Sequence, residues 1–508
     1  MKASIAIGVL TSLFFAISLF LPTEKIIAAT TLDDTFYYLQ IARNFAQGKG
    51  LTFDGYEPTN GFHPLWLAVL VPIAYFFPGD EVLLRLALGL CALLIGVSAA
   101  LLWRLLQPIA QPFRLISFLL ILLGWWAAWI LFSGMETSLL LALLLLLLHH
   151  YAHLLNKPTP SQTARLGLLS ALLILTRIDM SIVVGGLGTG LLLYPYFSLS
   201  QRVRITALWG GMTLLLVLPY FTANWLLTQH LLPINGVVKT PQGSLTERLL
   251  HNLLPLQRLL QNFLGLDLPS AQISAYLIIA LFIALALYFI VRFLLFQTAF
   301  FALGSLLLAS LTHLFIQLIL VDKLYPWHLT TEILSGGVLY GIVFSESSAL
   351  PYILRKLLAW TIAIPAFALA VSLLYFRWKE DGRGNLYLSF YRAAQWIRHH
   401  IPIQARLAAW DAGILGYFSH RSTTNLDGLV NSYAYLPYLR GDSIPAYLRK
   451  ENIDYLAQYF SASLPTDSPW RSLLGDTAYA EKFIYRRTGL LHEGQAIPAE
   501  FLIMRLRR

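Results

Sequence analysis

Residues 32–66 read LDDTFYYLQIARNFAQGKGLTFDGYEPTNGFHPLW, and the interpretation of this stretch decides the fold. Two adjacent carboxylates, Asp33 and Asp34, open an amphipathic helix in which Phe36, Leu39, Ala42, Arg43 and Phe45 recur at helical spacing. Gly48 and Gly50 end that helix, and a polar loop leads to Asn60, Gly61, Phe62, His63 and Pro64, where a second apolar segment begins. On the bare pattern the acidic pair reads most simply as a helix start, because Asp is a good N-cap.

Outward from this stretch the chain is apolar. Of 508 residues, 57% are hydrophobic and 12% charged, about half the charged share of a soluble protein. The mean hydropathy is +0.64. This is a polytopic membrane composition, so the net charge of +10 sets orientation through short basic loops and does not indicate nucleic-acid binding. The one cysteine, Cys91, lies in an apolar run, which excludes a disulfide within the chain and reads as packing. Neither a zinc-type Cys/His cluster nor a Walker loop is present.

A first span covers 4–21 behind Lys2, longer than a signal-peptide core, so a retained helix is expected, with its start in the cytoplasm. The run 64–77, with Pro72 inside, is shorter than the roughly 20 residues a crossing needs. If it stays in the outer leaflet, the loops holding Arg104, Arg114, Lys157 and Arg165 fall in the cytoplasm, as positive charge prefers. Further spans are expected at 82–103, 115–132 and 137–152, then a hairpin over 166–196 with Thr176–Met180 at its outer edge, a single kinked helix being the alternative. Spans at 205–228, 271–292, 298–320, 329–345 and 357–376 follow, giving about eleven. The long loop 229–270 and residues 377–508 then share the face of Asp33. The tail alternates helix and strand patterns and reads as an α/β domain. The expected organisation is therefore a membrane domain, 1–376, with an outer loop at 23–81, and an extracytoplasmic α/β domain, 377–508.

The acidic pair with its aromatic neighbours, the Gly-x-Gly loop and the Gly61–Trp66 segment GFHPLW together resemble the first extracytoplasmic loop of GT-C glycosyltransferases. These include protein O-mannosyltransferases, aminoarabinose transferases and arabinofuranosyltransferases. The resemblance is sharpest over 32–66 and extends loosely, as a hydropathy pattern, over 1–376. It implies transfer of a monosaccharide, with inversion, from a polyprenyl-phosphate donor to an extracytoplasmic glycan, lipid or protein, in a bacterial plasma membrane. It implies that Asp33 and Asp34 sit at the reacting centre, activating the acceptor or holding a divalent metal ion, with Asp33 as base and Asp34 as partner. It also suggests His63 as a phosphate neighbour and Glu136 as a contact of the sugar or of a loop.

Other residues stand out by position. Arg177 and Asp179 are ionisable groups at a helix break, either a structural pair or part of a substrate path. Lys239 in the polar loop is a candidate phosphate contact, and His328 beside Trp327 is either a lipid-phosphate contact or part of an aromatic belt. In the tail, Gly413 and Gly416 give a weak phosphate signal without a Rossmann pattern, and Asp411, Asn425 and Asp427 read as turn residues or acceptor contacts. The rival class is a transporter or a non-catalytic lipid-binding protein, whose polar residues would gather near the bilayer midplane.

Overall fold

The computed structural model describes residues 2–124, 127–240, 244, 247–248, 252, 298–321, 324–346, 351–379, 386–441, 443–461, 480–491 and 498–506. The span expected at 271–292 lies outside them. Among the described residues five helices are long and apolar enough to cross a membrane, and Pro64–Phe76, Phe113–Leu123 and Met180–Leu193 are shorter apolar helices. The chain is an integral membrane protein.

Helix α1 (Lys2–Ala16) continues through a 3₁₀ turn to Phe20, and after α2 (Thr23–Ala29) comes α3 (Asp33–Ala46). Next are α4 (Pro64–Phe76) and α5 (Asp80–Leu105). The Arg85 guanidinium closes the turn that follows α1, donating to the carbonyls of Leu19 and Leu21 and to the Thr23 hydroxyl. Helix α4 begins just after His63, which shares a cleft with Leu429 and Val430 of the C-terminal part. It ends just before Asp80, whose carboxylate meets Arg43, Arg398 at 3.3 Å and His420 at 2.6 Å. Both ends of α4 therefore lie on one face, and its 13 residues span only about 20 Å.

The run expected as one span over 115–132 is two helices, α6 (Phe113–Leu123) and α7 (Ala127–Leu131). Gly124 caps α6 in an extended conformation, ψ 143°, at a residue with weak helix preference. Helix α8 (Thr137–Asn156) packs between α5 and α9 (Pro160–Thr176). After α9 the backbone turns extended at Arg177 and α10 (Met180–Leu193) begins. The Tyr194 hydroxyl then donates to the Leu155 carbonyl at 3.2 Å. The end of α10 has thus returned to the end where α9 starts, and α9 and α10 form a hairpin with Arg177–Asp179 at its tip.

Helices α11 (Leu199–Thr228), α12 (Ile234–Val238), α13 (Thr298–Leu320), α14 (Thr330–Glu346) and α15 (Tyr352–Lys379) complete the described helical part. The C-terminal part opens with α16 (Leu386–His400). It is built on a five-stranded sheet of order β2-β1-β3-β5-β4. The strands are β1 (Arg406–Ala409), β2 (Ser422–Asn425), β3 (Tyr455–Ser461), β4 (Ala480–Leu491) and β5 (Pro498–Leu506). Strand β1 is parallel to β2 and β3, and β5 runs antiparallel to both β3 and β4. The short helix α17 (Gly413–Ser419) makes the β1–β2 crossover.

Helix α3 is the joint between the two parts. Phe36 packs on Tyr417 and Phe418 with ring centroids 5.5 and 5.3 Å apart. Arg43 pairs with Asp80 and donates to the Tyr417 carbonyl at 2.7 Å. One apolar core runs from the membrane helices through α3 into α16 and β1, so the sheet portion is seated on the helical bundle by hydrophobic burial.

Candidate active site

Adjacent residues on a helix point about 100° apart, so Asp33 and Asp34 address different surfaces of α3. Each is joined by a tyrosine four residues on, Tyr37 and Tyr38, one turn along the same face.

Asp33 faces the C-terminal part. Its two carboxylate oxygens accept the Gly413 and Ile414 N–H groups, each at 2.8 Å. Leu32, not Asp33, is the N-cap of α3; Asp33 instead satisfies free N–H groups at the start of α17. A Cβ on Gly413 would lie 2.2 Å from the Asp33 carbonyl oxygen, so only glycine allows this approach. The Gly413/Gly416 turn thus holds a carboxylate of the same chain. Around Tyr37 the hydroxyl donates to Asp427 at 3.1 Å and accepts from Asn425 at 3.1 Å. Asp33, Asp411 and Asp427 converge here. Burial first, then the neighbouring carboxylates, raise Asp33 and Asp411 above the usual range, and burial raises Asp427 to about 7.

An unfolded Asp titrates near about 3.9. Between the two values the folded chain holds protons that the unfolded chain has released. The stabilisation is therefore full below about pH 4 and is lost as pH rises through about 7. The slope of melting temperature against pH over this window is expected to be shallower in Asp427→Asn than in the wild type, read by thermal unfolding from pH 5 to 8.

Asp34 faces a small cleft lined by Tyr38, His63, Glu136, Arg177, Asn235, Lys239, Trp327 and His328, with Leu429 and Val430 from the C-terminal part. The charged and imidazole groups come from loops or helix ends. His63 precedes α4, Glu136 precedes α8, Arg177 sits at the α9–α10 tip, Lys239 follows α12 and His328 lies in the Pro326–Leu329 turn. Their common location follows from the bundle, because these junctions emerge at one end. Local contacts fix them. Asn60 accepts the Ile234 N–H at 3.0 Å, which seats α12 and hence Lys239. The Trp66 indole donates to the Gly134 carbonyl at 3.2 Å, setting the turn before Glu136. Thr59 donates to the Asn431 carbonyl at 2.9 Å, tying the cleft to the sheet portion.

Six of the seven residues expected at the site line this cleft: Asp34, His63, Glu136, Arg177, Lys239 and His328. Asp33 does not. Asp411 and Asp427 gather on the Tyr37 face instead. Tyr38, Trp327 and Asn235 are additions to the expected set; the four-residue spacing of Tyr38 from Asp34 is the signal in the sequence that points to the first of them.

Glu136 is 1% exposed. Its Oε1 lies 3.7 Å from His63 Nε2, while its Oε2 and His63 Nδ1 have no hydrogen-bond partner among the described residues. Burial, helped by Arg177 and Lys239, holds His63 below its ordinary range against the opposing pull of Glu136. Burial also pushes His328 well down. Both imidazoles are then neutral, and the fixed cations of the cleft, among the described residues, are Arg177 and Lys239. Burial raises the Asp34 carboxyl, Lys239 opposes this and Glu136 adds to it. A raised carboxyl is a stronger base.

The acidic pair does not fit a shared metal ion. Asp33 and Asp34 diverge, both Asp33 oxygens are taken by N–H donors, and the charge nearest in effect to Asp34 is a lysine. Among the described residues no group of three or more His, Cys, Asp or Glu is placed to hold one.

Taken over the whole chain, the arrangement of helices and sheet is a GT-C-like fold, shown by its likeness to solved structures. ArnT from Cupriavidus metallidurans bound to undecaprenyl phosphate is similar at TM-score 0.55 and 13% identity, covering 98% of this chain and 97% of that one. Its apo state is similar at TM-score 0.53 and 13% identity, covering 97% of each chain. A mycobacterial arabinofuranosyltransferase, AftD, gives a looser likeness, TM-score 0.42 at 14% identity, over 98% of this chain and 40% of that one. Residues 382–496 match a family described as a domain of unknown function, DUF8728. No curated protein sequence matches the chain.

Proposed function

We propose that the protein is a glycosyltransferase that moves one sugar from a polyprenyl-phosphate donor to an acceptor hydroxyl at the extracytoplasmic face. The observation that carries this reading is the cleft, where one carboxylate with a raised pKa, Asp34, shares a small space with two fixed cations, Arg177 and Lys239. The GT-C-like fold and the undecaprenyl phosphate bound by the similar ArnT support it. The placement of these groups at helix junctions beside the sheet portion, not in the middle of the bundle, favours it over a transporter.

In this reading Asp34 takes the proton of the acceptor hydroxyl as its oxygen attacks the anomeric carbon. The bond from that carbon to the phosphate oxygen breaks with inversion, and the charge left on the lipid phosphate is met by Lys239 and Arg177. The neutral His63 and His328 offer hydrogen bonds. Glu136, with a free oxygen in the cleft wall, is suited to accept from a sugar hydroxyl.

Incubating the purified protein with a panel of labelled polyprenyl-monophosphate sugars and envelope acceptors tests the reading; the absence of transfer from every donor would reject it. Lys239→Met is expected to weaken binding of undecaprenyl monophosphate about tenfold or more, since a charged hydrogen bond contributes roughly 1.5–3 kcal/mol. Unchanged affinity would remove Lys239 from the phosphate seat.

A further inference from the structure

Behind the cleft wall Arg177 is backed by further ionisable groups, Asp179, His313 and Glu332, that the proposed chemistry does not touch. Arg177 is 4% exposed, and Asp179 grips it from the side, accepting from Nε at 3.2 Å and from Nη2 at 2.7 Å. The third hydrogen bond of the guanidinium runs from Nη1 to the Trp327 carbonyl. A guanidinium has five N–H donors, so among the described residues two are left for a ligand, and Arg177 lines the cleft.

Asp179 is held in turn. Gln317 donates to it at 2.7 Å, and His313, fully buried on α13, contacts it at 3.3 Å. The other ring nitrogen of His313 meets Glu332 on α14 at 2.7 Å. The chain Glu332–His313–Asp179–Arg177 therefore links α14, α13 and the α9–α10 tip, and the Trp327 bond adds the turn that carries His328. Burying Arg177 and His313, with Asp179 and Glu332 mostly withdrawn from solvent, beside membrane helices is costly, and packing alone is served better by apolar side chains of similar size. A planar fork held on one edge is a preorganised anion seat.

We infer that Asp179, locked by His313 and Gln317, is a positioning residue that keeps the free N–H groups of Arg177 aimed at the phosphate of the lipid donor. This rests on the donor reading above and adds the support that sets the geometry of its phosphate seat. Asp179 does not touch the ligand; it acts through Arg177.

The test measures undecaprenyl monophosphate binding to the purified full-length protein, with melting temperature recorded in parallel. Asp179→Asn keeps the shape and one acceptor but loses the bidentate charge pair. His313→Gln keeps one hydrogen bond and cannot bridge the two carboxylates. Both are expected to weaken binding about tenfold, and neither is expected to weaken it further in an Arg177→Met background, because each acts only through that guanidinium. If Asp179→Asn fails to fold, His313→Gln carries the same cycle. Wild-type binding with unaffected single variants, or losses that add in full to that of Arg177→Met, would overturn the inference and leave the donor reading standing. A wild type that does not bind the lipid phosphate would overturn both.

Discussion

Asp34→Asn is expected to lower sugar transfer by about 10²–10⁴, the usual worth of a positioned general base, while leaving the melting temperature close to that of the wild type. Asn matches the shape of Asp but cannot take the acceptor's proton. Among the described residues Asp34 accepts no structural hydrogen bond comparable to those of Asp33, and its face of α3 opens on the cleft. Asp33→Asn should behave in the opposite sense. It removes one of the two acceptors for the Gly413 and Ile414 N–H groups, so its first effect is on the seating of α17, read as a lower melting temperature. A carboxamide oxygen can still serve one of those donors, and most of the turnover should survive. The paired substitutions separate a residue used for chemistry from one used to hold two parts of the chain together.

Gly61→Ala is the second large effect, on structure first. A Cβ at this position would lie 1.8 Å from the Leu429 carbonyl oxygen and 3.0 Å from the Val430 Cα, both backbone atoms that cannot rotate away. The strand-end loop carrying Leu429 and Val430 must then withdraw from the α3–α4 loop. Overpacking of this kind costs about 1–3 kcal/mol and sometimes more. Because both residues line the cleft beside His63, the substitution should lower the melting temperature and weaken lipid-phosphate binding together. Gly185→Ala on α10, where a Cβ meets nothing within 4 Å among the described residues, is the control and should lose neither stability nor binding. Equal melting curves for the two alanine variants would show that the junction yields freely.

Much of this arrangement is legible in the order of the residues, for physical reasons. Apolar runs and loop charge locate the membrane helices, because insertion penalises charge so strongly. The same reasoning places Arg177 and Asp179 at a hairpin tip, where the backbone does break. The short run beginning at Pro64 reads as non-crossing from its length together with the positive charge of the loops that follow. The divergence of the two acidic side chains is also implicit in the helix: 100° per residue separates Asp33 from Asp34, and four-residue spacing pairs them with Tyr37 and Tyr38.

Other features depend on contacts that local patterns do not encode. Asp33 does cap a helix, as its residue type suggests, but that helix lies 380 residues away in the chain. The Gly413/Gly416 turn carries a true anion signal, answered by a carboxylate of the same protein. The network through His313 joins groups more than a hundred residues apart. Strand β4 escapes pattern reading because its pairing with β5 is interrupted by register shifts, which break the two-residue alternation that betrays a strand.

The most direct test of the account compares wild type, Asp34→Asn and Asp33→Asn in one assay of transfer from labelled polyprenyl-monophosphate sugars, at matched folded concentrations. The account predicts labelled acceptor and free polyprenyl monophosphate in equal amounts from the wild type, a loss of at least about a hundredfold for Asp34→Asn, and substantial turnover from Asp33→Asn despite its lower melting temperature. Full activity in Asp34→Asn, with Asp33→Asn inactive at an unchanged melting temperature, would contradict it.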